Sequence, residues 1–285
     1  MACAQAVLKN VICDPLALAD RAVNALIDEA CLTPKPALVD RRGSGAHRDL
    51  DLDIMLRSAR SLQPTFVALA RASSNAQPSQ RLREQLARIG REGEVAMMRA
   101  TGGSNAHRGA IWIVGLLVAS AAMNPSDDLA MLCSQAAAIS RFEDRFAPSA
   151  VTQTHGARVT QRFGVAGARG QAAEGFPHVL QIGLPALRES RAKGAPENAA
   201  RLDALLAIIA TLDDTCLLHR GGRIALDAAQ SGAREALRAG GASQPEGYAA
   251  LLRLDQKLLQ LNASPGGAAD LLAAALFLDT LPCVG

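Results

Sequence analysis

Histidine residues mark the places in this chain where residue types and spacing suggest chemistry. Of the five histidines, His47, His107, His155 and His219 each stand beside an arginine or a glycine, whereas His178 does not. Aspartates lie close to the first and the last of these four. Cationic side chains bind phosphate oxygens, and carboxylates bind Mg²⁺. The clusters therefore predict a site for a nucleoside triphosphate with Mg²⁺.

The densest cluster is residues 33–53, with the sequence TPKPALVDRRGSGAHRDLDLD. Pro34 and Pro36 exclude a helix there, and Gly43 and Gly45 let the backbone turn or approach a ligand closely. Because so polar a stretch buries little apolar surface, it predicts an active-site loop. The alternative is an ordinary solvated loop, which is what most loops are. The recurrence of similar clusters along the chain favours the active-site interpretation.

Four later stretches also combine polar residues with glycine. They are residues 105–109 (NAHRG), 154–175, 213–222 (DDTCLLHRGG) and 262–270 (NASPGGAAD). Two of them open helices, where free N–H groups and the helix dipole favour phosphate. Each also has a structural interpretation. Asn105 would be an N-cap with Arg108 as a surface charge, residues 154–175 a surface excursion, and one of Asp213 and Asp214 exposed while the other is salt-bridged.

Composition excludes several classes of protein. Neither a GxxxxGK[ST] loop nor a GxGxxG after a strand is present, so neither familiar nucleotide fold is expected. A net charge of +3 without a clustered basic face argues against a nucleic-acid partner. Six cysteines without metal-ligand spacing, and a start that lacks a signal-peptide pattern, indicate a cytoplasmic protein with reduced thiols. The uncharged stretch 109–126 becomes polar after Met123, short of the ~20 residues of a membrane span, and predicts a buried helix.

The elements that position these clusters are predicted to be helices. Hydrophobic residues make up 49% and aromatics only 3% of the chain, with abundant alanine, which is typical of closely packed helices. We predict an all-α fold, with residues 1–285 as a single compact multi-helix domain around a central buried helix. The predicted helices cover about 15–31, 49–62, 64–72, 82–99, 107–123, 126–146, 177 onward, 196–220 as one long helix, 223–239 and 245–262, with a last helix that carries Asp270 in its first turns.

Five motifs in order carry a resemblance to a known family. TPKPALVDRRGSGAHRDLD, NAHRGAI, THGARV with GARGQAAEGFP, LDDTCLLHRGG and SPGGAADLLA resemble those of the triphosphoribosyl-dephospho-CoA synthase family, between about Glu29 and Phe277. The resemblance implies an all-α enzyme that joins the ribose C1 of ATP to the 2′-hydroxyl of 3′-dephospho-CoA and releases adenine. Its product would pass to a phosphoribosyl-dephospho-CoA transferase and then to an acyl carrier subunit. The length of the chain favours the carrier subunit of malonate decarboxylase over that of citrate lyase.

The chain departs from the family pattern at four positions. Ala37, Ala106, Arg108 and Gln171 stand where the family favours Gly, Thr, Lys and Glu. Arginine keeps the cation of lysine but changes its geometry. Gln171 cannot act as an acid, and Glu174 is the nearby acid that could take its place.

The implied reaction assigns roles to the clusters. By analogy with other glycosyl transfers, the displacement of adenine has an oxocarbenium-like transition state. It also needs a base for the attacking hydroxyl. Glu29, Asp49 and Asp53 are the candidates for the base, and His47 or His107 would help adenine leave. Asp49 and Asp53, with Asp213 or Asp214, would hold Mg²⁺. The residues expected to bind phosphate or substrate are Lys35, Arg42, Gly45, Asn105, Arg108, His155, Arg158, Arg169, Thr215, His219, Arg220, Ser264, Gly266 and Gly267.

Two other functions stay open at this point. One is a Mg²⁺-dependent nucleotide N-glycoside hydrolase on a helical fold, which would use water instead of dephospho-CoA. The other is a helical scaffold whose charged loops bind a protein. A homodimer is the default expectation for the assembly.

Overall fold

The chain folds into a set of packed helices. The structure, a computed structural model, describes residues 14–123, 128–147 and 155–281. The first helices are α1 (Pro15–Cys31), α2 (Leu52–Ser61), α3 (Gln63–Ser73), α4 (Gln80–Ala100), α5 (Arg108–Met123), α6 (Leu129–Ser140) and α7 (His155–Phe163). They continue with α8 (Gly167–Ala173), a π-helical segment (His178–Gly183), α9 (Leu184–Ala192), α10 (Glu197–Ile209), α11 (Thr215–Arg238), α12 (Pro245–Gln260) and α13 (Gly266–Asp279). Among the described residues, an isolated bridge between Asp40 and Gly43 is the sole β-type pairing. The prediction of an all-α fold is therefore confirmed.

Helix α1 begins and ends as its sequence predicts. The Asp14 side chain accepts a hydrogen bond from the Ala17 N–H at 3.0 Å, and Pro15 occupies the first turn. The apolar residues of α1 pack against α3 and α13. Its C-terminal end places Glu29 in the interior, with 3% of the residue exposed.

Helix α5 is the predicted central helix. It is apolar on every side, and Ile113 and each residue from there to Met123 are buried. It contacts α1, α3, α4, α6 and α13. Helix α13 is likewise buried along most of its length. In the described residues, every helix is too short or too polar to cross a bilayer.

Two predicted helix boundaries were wrong for the same reason. Asp51, not Asp49, caps α2, because its side chain accepts the Ile54 N–H at 2.8 Å. The long helix predicted at 196–220 is two helices, α10 and α11, and Asp214 caps the second of them. Aspartate competes for nearby backbone N–H groups, so it favours helix starts over helix interiors. The sequence also predicted a helix end at about residue 220. Helix α11 instead continues through a kink at Gly222 (φ 62°, ψ −157°) to Arg238.

The segment predicted as the most irregular is largely helical. Helices α7 and α8 and the π-helical segment cover most of residues 155–183. The Trp112 indole N–H on α5 donates to the Ala168 carbonyl at 3.3 Å and ties α8 to the central helix. Helix α6 spans Leu129–Ser140, shorter than the predicted 126–146, whose first residues lie outside the described part of the chain.

Candidate active site

A buried carboxylate shapes the loop of residues 33–51. Asp40 is 2% exposed and accepts hydrogen bonds from the Lys35 N–H at 2.8 Å and the Thr33 hydroxyl at 3.1 Å. The Arg42 N–H and Nε also donate to it, at 2.7 Å and 2.9 Å. Four donors from within the loop converge on this carboxylate and hold the loop in one conformation. Its first half, Pro34–Asp40, is buried, so the loop is not an ordinary solvated one.

Arg42 joins this loop to α12. Its Nη1 donates to Asp255 Oδ2 at 2.7 Å, and Asp255 Oδ1 accepts the Ala37 N–H at 2.7 Å. Arg42 therefore has a structural role in addition to any contact with phosphate. Ala37 has a φ of 54°, a conformation that suits glycine, which explains the glycine that the family favours there. A Cβ at Gly45 would overlap the Ala37 carbonyl, so Gly45 allows the loop to approach itself.

Lys35 and Glu29 form a buried ion pair. The Lys35 ammonium is 1% exposed and donates to Glu29 Oε1 at 2.6 Å and to the Glu29 carbonyl at 2.7 Å. Two charges are taken out of water here, which is costly unless both stay paired. The pair holds a positive and a negative charge at one fixed point beside the starts of other helices.

His107 lies against this ion pair at the start of α5. It is 3% exposed, and its Nδ1 hydrogen-bonds with the Ser58 hydroxyl at 2.7 Å. Its Nε2 is buried and has no partner among the described residues. Burial, and then the positive charge of Lys35, lowers the pKa of His107 to about 3. His107 is therefore neutral at physiological pH, with one ring nitrogen left to contact a ligand.

His47 is held by residues from the two C-terminal motifs. Arg220 Nη2 donates to His47 Nδ1 at 3.0 Å, and His47 Nε2 lies 3.0 Å from the Ser264 hydroxyl. Because Nδ1 accepts from a guanidinium, Nε2 carries the proton and donates to Ser264. Burial, and then the Arg220 charge, lowers the pKa of His47 to about 4. Both rings are therefore neutral at physiological pH, and of the two only His107 has a ring nitrogen without a partner among the described residues.

Asp214 connects the starts of two helices. Its Oδ1 accepts the N–H groups of Cys216 at 2.7 Å and Leu217 at 3.3 Å, and its Oδ2 accepts that of Ala268 at 2.8 Å. Burial raises the pKa of this carboxyl, although the backbone donors oppose the shift. One carboxylate thus caps α11 and anchors α13. Its neighbour Asp213 is exposed, as the structural interpretation required of one member of the pair.

Asp270 completes the group, and the sequence analysis did not assign it to the site. The Ala110 N–H of α5 donates to its carboxyl, and a Cβ at Gly109 would overlap its Oδ2. Burial raises the pKa of Asp270 well above its usual range, and the charges of Glu29 and Asp214 add to the effect. An acid just after a proline–glycine–glycine helix start was the signal available in the sequence.

We call Glu29, Lys35, His107, Asp214 and Asp270 the central cluster. With the His47–Arg220–Ser264 contacts beside it, the cluster unites four of the five sequence motifs. The fifth motif lies next to it, since a Cβ at Gly167 would stand 3.2 Å from Thr215 Cγ2. Within that motif Arg158 and Arg169 are exposed, whereas the side chain of His155 lies outside the described part of the structure.

The remaining predicted residues are at or near the surface of the site. The Asn105 side chain accepts the Arg108 N–H at 3.2 Å, and Arg108 pairs with Glu94 at 3.0 Å, so both have structural partners. His219 is exposed on α11. The half-buried residues Thr215, Gly266 and Gly267 lie at the starts of α11 and α13. Gln171 is buried and bonds with His178 Nδ1 at 2.9 Å, which gives the amide a packing role where the family favours an acid.

The carboxylates predicted to bind Mg²⁺ differ in what they offer. Asp49 and Asp53 are exposed, and the Asp49 charge acts on His47. Mg²⁺ on a nucleotide needs one or two protein carboxylates besides the phosphates, and these two acids fit that requirement. The oxygens of Asp214 are already engaged by backbone N–H groups, which does not fit it. The part of the chain that the structure describes holds no group of three or more histidine, cysteine or acidic side chains arranged for a metal ion.

Comparison with known proteins covers nearly the whole chain. The sequence model of the ATP:dephospho-CoA triphosphoribosyl transferase family matches residues 15–284. A protein of Azotobacter vinelandii named probable 2-(5''-triphosphoribosyl)-3'-dephosphocoenzyme-A synthase is 58% identical over 94% of this chain and 92% of its own length. Proteins with the same name from Pseudomonas fluorescens and Stutzerimonas stutzeri are 57% and 55% identical, each over 93% of this chain and 91% of their own length. No solved structure matches the chain.

Proposed function

This chain belongs to the ATP:dephospho-CoA triphosphoribosyl transferase family, and from that premise we propose that its central cluster joins C1 of the ATP ribose to the 2′-hydroxyl of 3′-dephospho-CoA. The central cluster is the observation that carries the proposal. Two buried acids (Glu29 and Asp214), the half-buried Asp270, a buried lysine and a histidine with a free ring nitrogen meet at the starts of α5, α11 and α13. Such a group costs stability, and a protein keeps it where it supports a reaction.

The reaction needs one proton to be removed and one to be supplied. The C–N bond to adenine breaks, a C–O bond to the 2′-hydroxyl forms, and the hydroxyl proton balances the proton that adenine gains. We propose that Glu29, which pairs with Lys35 at 2.6 Å, accepts the hydroxyl proton. Asp270, whose raised pKa favours the protonated form, donates to adenine. Glu29 and Asp270 interact electrostatically, so a proton passing between them restores both groups.

Histidine and N–H donors orient the departing base and the phosphates in this proposal. The free Nε2 of His107 hydrogen-bonds to adenine, and the His47–Arg220 pair positions Arg220 toward the triphosphate. Asp49 and Asp53 hold the Mg²⁺ that accompanies ATP, and that ion neutralises phosphate charge when bound. The exposed Arg158 supplies a further cation for phosphate. The predicted phosphate contacts at the starts of α11 and α13 do not fit, because Asp214 and nearby carbonyls already accept the N–H groups there.

Adenine release is the test. The enzyme with Mg-ATP should release adenine only when dephospho-CoA is present, and mass spectrometry should detect the triphosphoribosyl adduct. Glu29→Gln and Asp270→Asn should each lower kcat by about 100-fold or more, in the range known for acid–base groups. Asp49→Asn should instead raise the Mg²⁺ concentration needed for half-maximal rate. Adenine release without dephospho-CoA would favour the hydrolase, and no thermal shift with Mg-ATP would favour the scaffold.

We also propose a place for the product. It would be loaded by a phosphoribosyl-dephospho-CoA transferase onto the acyl carrier subunit of a malonate decarboxylase, with that of a citrate lyase as the alternative. Incubating the product and that transferase with each purified carrier subunit would test the choice, because only the correct subunit should gain the mass of the prosthetic group. A homodimer stays a prediction that sedimentation would check.

A further inference from the structure

A groove runs between α4 and α5 outside the central cluster. It encloses a cavity of about 130 Å³. Its apolar wall includes Leu86, Ile111 and Leu116, and its polar rim includes Arg83, Trp112 and Arg169. Of these residues, only Ile111 and Arg169 belong to the sequence motifs. Ligand pockets are mostly apolar with a few polar groups that fix orientation, and this groove has that composition.

Arg83 is a buried cation without a bonded anion. It is 7% exposed, its guanidinium lies 4.8 Å from the centre of the Trp112 ring, and its Nε has no partner among the described residues. Burial lowers the pKa of Arg83, the charges of Asp144 and Glu84 oppose this shift, and the positive charges of Arg169 and Arg91 add to it. A guanidinium nevertheless stays charged in proteins. The ring face of Trp112 compensates part of the charge and leaves the Nε donor for a ligand.

The acids at the groove are already committed to other cations. Glu94 pairs with Arg108 at 3.0 Å, and Asp144 pairs with Arg91. In the described part of the chain neither Arg83 nor Arg169 forms a salt bridge. The groove therefore has an excess of positive charge beside an apolar wall. That combination fits a ligand with an anionic group joined directly to an apolar group.

The groove starts beside the central cluster. Arg108, which reaches Glu94 at the groove, directly follows His107 in the sequence. Trp112 is one helical turn further along α5, a rise of about 6 Å from Arg108. A ligand that reacts near His107 therefore reaches Arg83 and Trp112 with its next few groups.

We propose that this groove binds the diphosphate of 3′-dephospho-CoA, with the start of the pantetheine chain against its apolar wall. The inference rests on the proposed function. In dephospho-CoA the diphosphate joins the ribose that carries the reacting 2′-hydroxyl to the pantetheine chain, which begins with an apolar dimethyl group. The triphosphate of ATP ends in a charged phosphate and has no apolar group to bury. A cavity of about 130 Å³ holds this portion of the substrate and not the whole, since complete ligand sites are roughly 300–1,000 Å³.

Direct binding measurements test the proposal without relying on turnover. Isothermal titration of the full chain should show that Arg169→Ala and Arg83→Gln each weaken dephospho-CoA by about tenfold or more, as expected for a lost charge-assisted contact, while Mg-ATP binds as before. The matched control is Arg88→Gln, an exposed residue of the same helix that pairs only with Glu92. It should leave both affinities unchanged. 4′-Phosphopantetheine, which lacks the AMP part and keeps one of the two phosphates with the pantetheine chain, should compete with dephospho-CoA and not with ATP.

Three results would overturn the proposal. Weakened Mg-ATP with unchanged dephospho-CoA would assign the groove to the triphosphate. Unchanged affinity for both substrates in Arg169→Ala, which is exposed and safe for folding, would remove the groove from the substrate site even if Arg83→Gln fails to fold. Competition of 4′-phosphopantetheine with ATP would contradict the choice of occupant. Failure of the proposed function is separate, because it would appear as a wild-type enzyme that lacks dephospho-CoA-dependent adenine release.

Discussion

Arg220 donates from Nη2 to Nδ1 of His47 at 3.0 Å, across 173 residues of sequence, and its Nη1 donates to the Ala46 carbonyl at 2.9 Å. The contact sets the tautomer of His47 and attaches the loop of residues 33–51 to α11. It therefore controls both the protonation and the position of the same side chain.

Removing the guanidinium should raise the pKa of His47. In Arg220→Gln the opposing charge is lost, so the His47 pKa should rise from about 4 toward its usual value, while burial keeps part of the shift. NMR titration of the His47 ring signals would measure this. Arg234→Gln, on the exposed part of α11, is the control and should leave the titration unchanged. An unchanged His47 pKa in Arg220→Gln would contradict the assigned contact.

Acidification should destabilise the protein through its two buried histidines. Their pKa values are about 3 for His107 and about 4 for His47 in the folded state, against 6.5 for the unfolded chain. The unfolded state therefore binds more protons below pH 6.5, and the stabilisation is lost progressively as pH falls toward these values. Between pH 6 and 4, the unfolding free energy of His107→Gln should therefore fall less steeply with decreasing pH than that of the wild type. The difference in slope should be up to about 1.4 kcal/mol per pH unit. Urea titrations at several pH values would measure it, and equal slopes would exclude the effect.

Breaking the buried ion pair should be far more damaging than breaking a surface one. Lys35→Met leaves the Glu29 carboxylate buried and uncompensated, which should cost about 3–5 kcal/mol of unfolding free energy. The double variant Lys35→Met with Glu29→Leu should recover much of that loss. Lys193→Met breaks the exposed pair with Glu189 and should hardly move the urea midpoint. If Lys35→Met behaved like Lys193→Met, the buried pair would not be as the structure has it.

Neutralising Asp270 should stabilise the fold at the expense of activity. The raised pKa means that the folded state binds the proton more tightly, so the carboxyl lowers stability as pH rises from 3.8 through its folded-state pKa. Asp270→Asn should raise Tm at pH 8 by about 2–5 °C, with no gain at pH 3.5. Asp227→Asn, an exposed residue of α11, should show no such dependence. A lower Tm for Asp270→Asn at pH 8 would mean that the carboxylate is compensated in the native state.

The sequence predicted features that depend on neighbouring residues. The uncharged stretch before Met123 is buried as α5, and Asp14 with Pro15 starts α1, because periodicity and capping are local properties. Recurrent His, Arg and Asp clusters also predicted that distant loops would meet, and His47, Arg220 and Ser264 do so.

Features that depend on distant partners could not be predicted. Arg42 looked like a free phosphate ligand because its partner Asp255 is 213 residues away. Asp270 was given no role because the groups that act on its carboxyl come from other parts of the chain. These are the charge of Glu29 and the N–H at the start of α5. Arg83 and Trp112 belong to no motif, and only the packing of α4 on α5 brings them together.

Helix α5 imposes a limit on how this chain can vary. His107 directly precedes the helix, and Trp112 follows about one turn later on the groove. Inserting or deleting one residue between them would rotate Trp112 by about 100° around the helix axis and shift it by about 1.5 Å. Side chains in this stretch can therefore be exchanged far more readily than its length can be changed, and natural length differences should be confined to connections outside it.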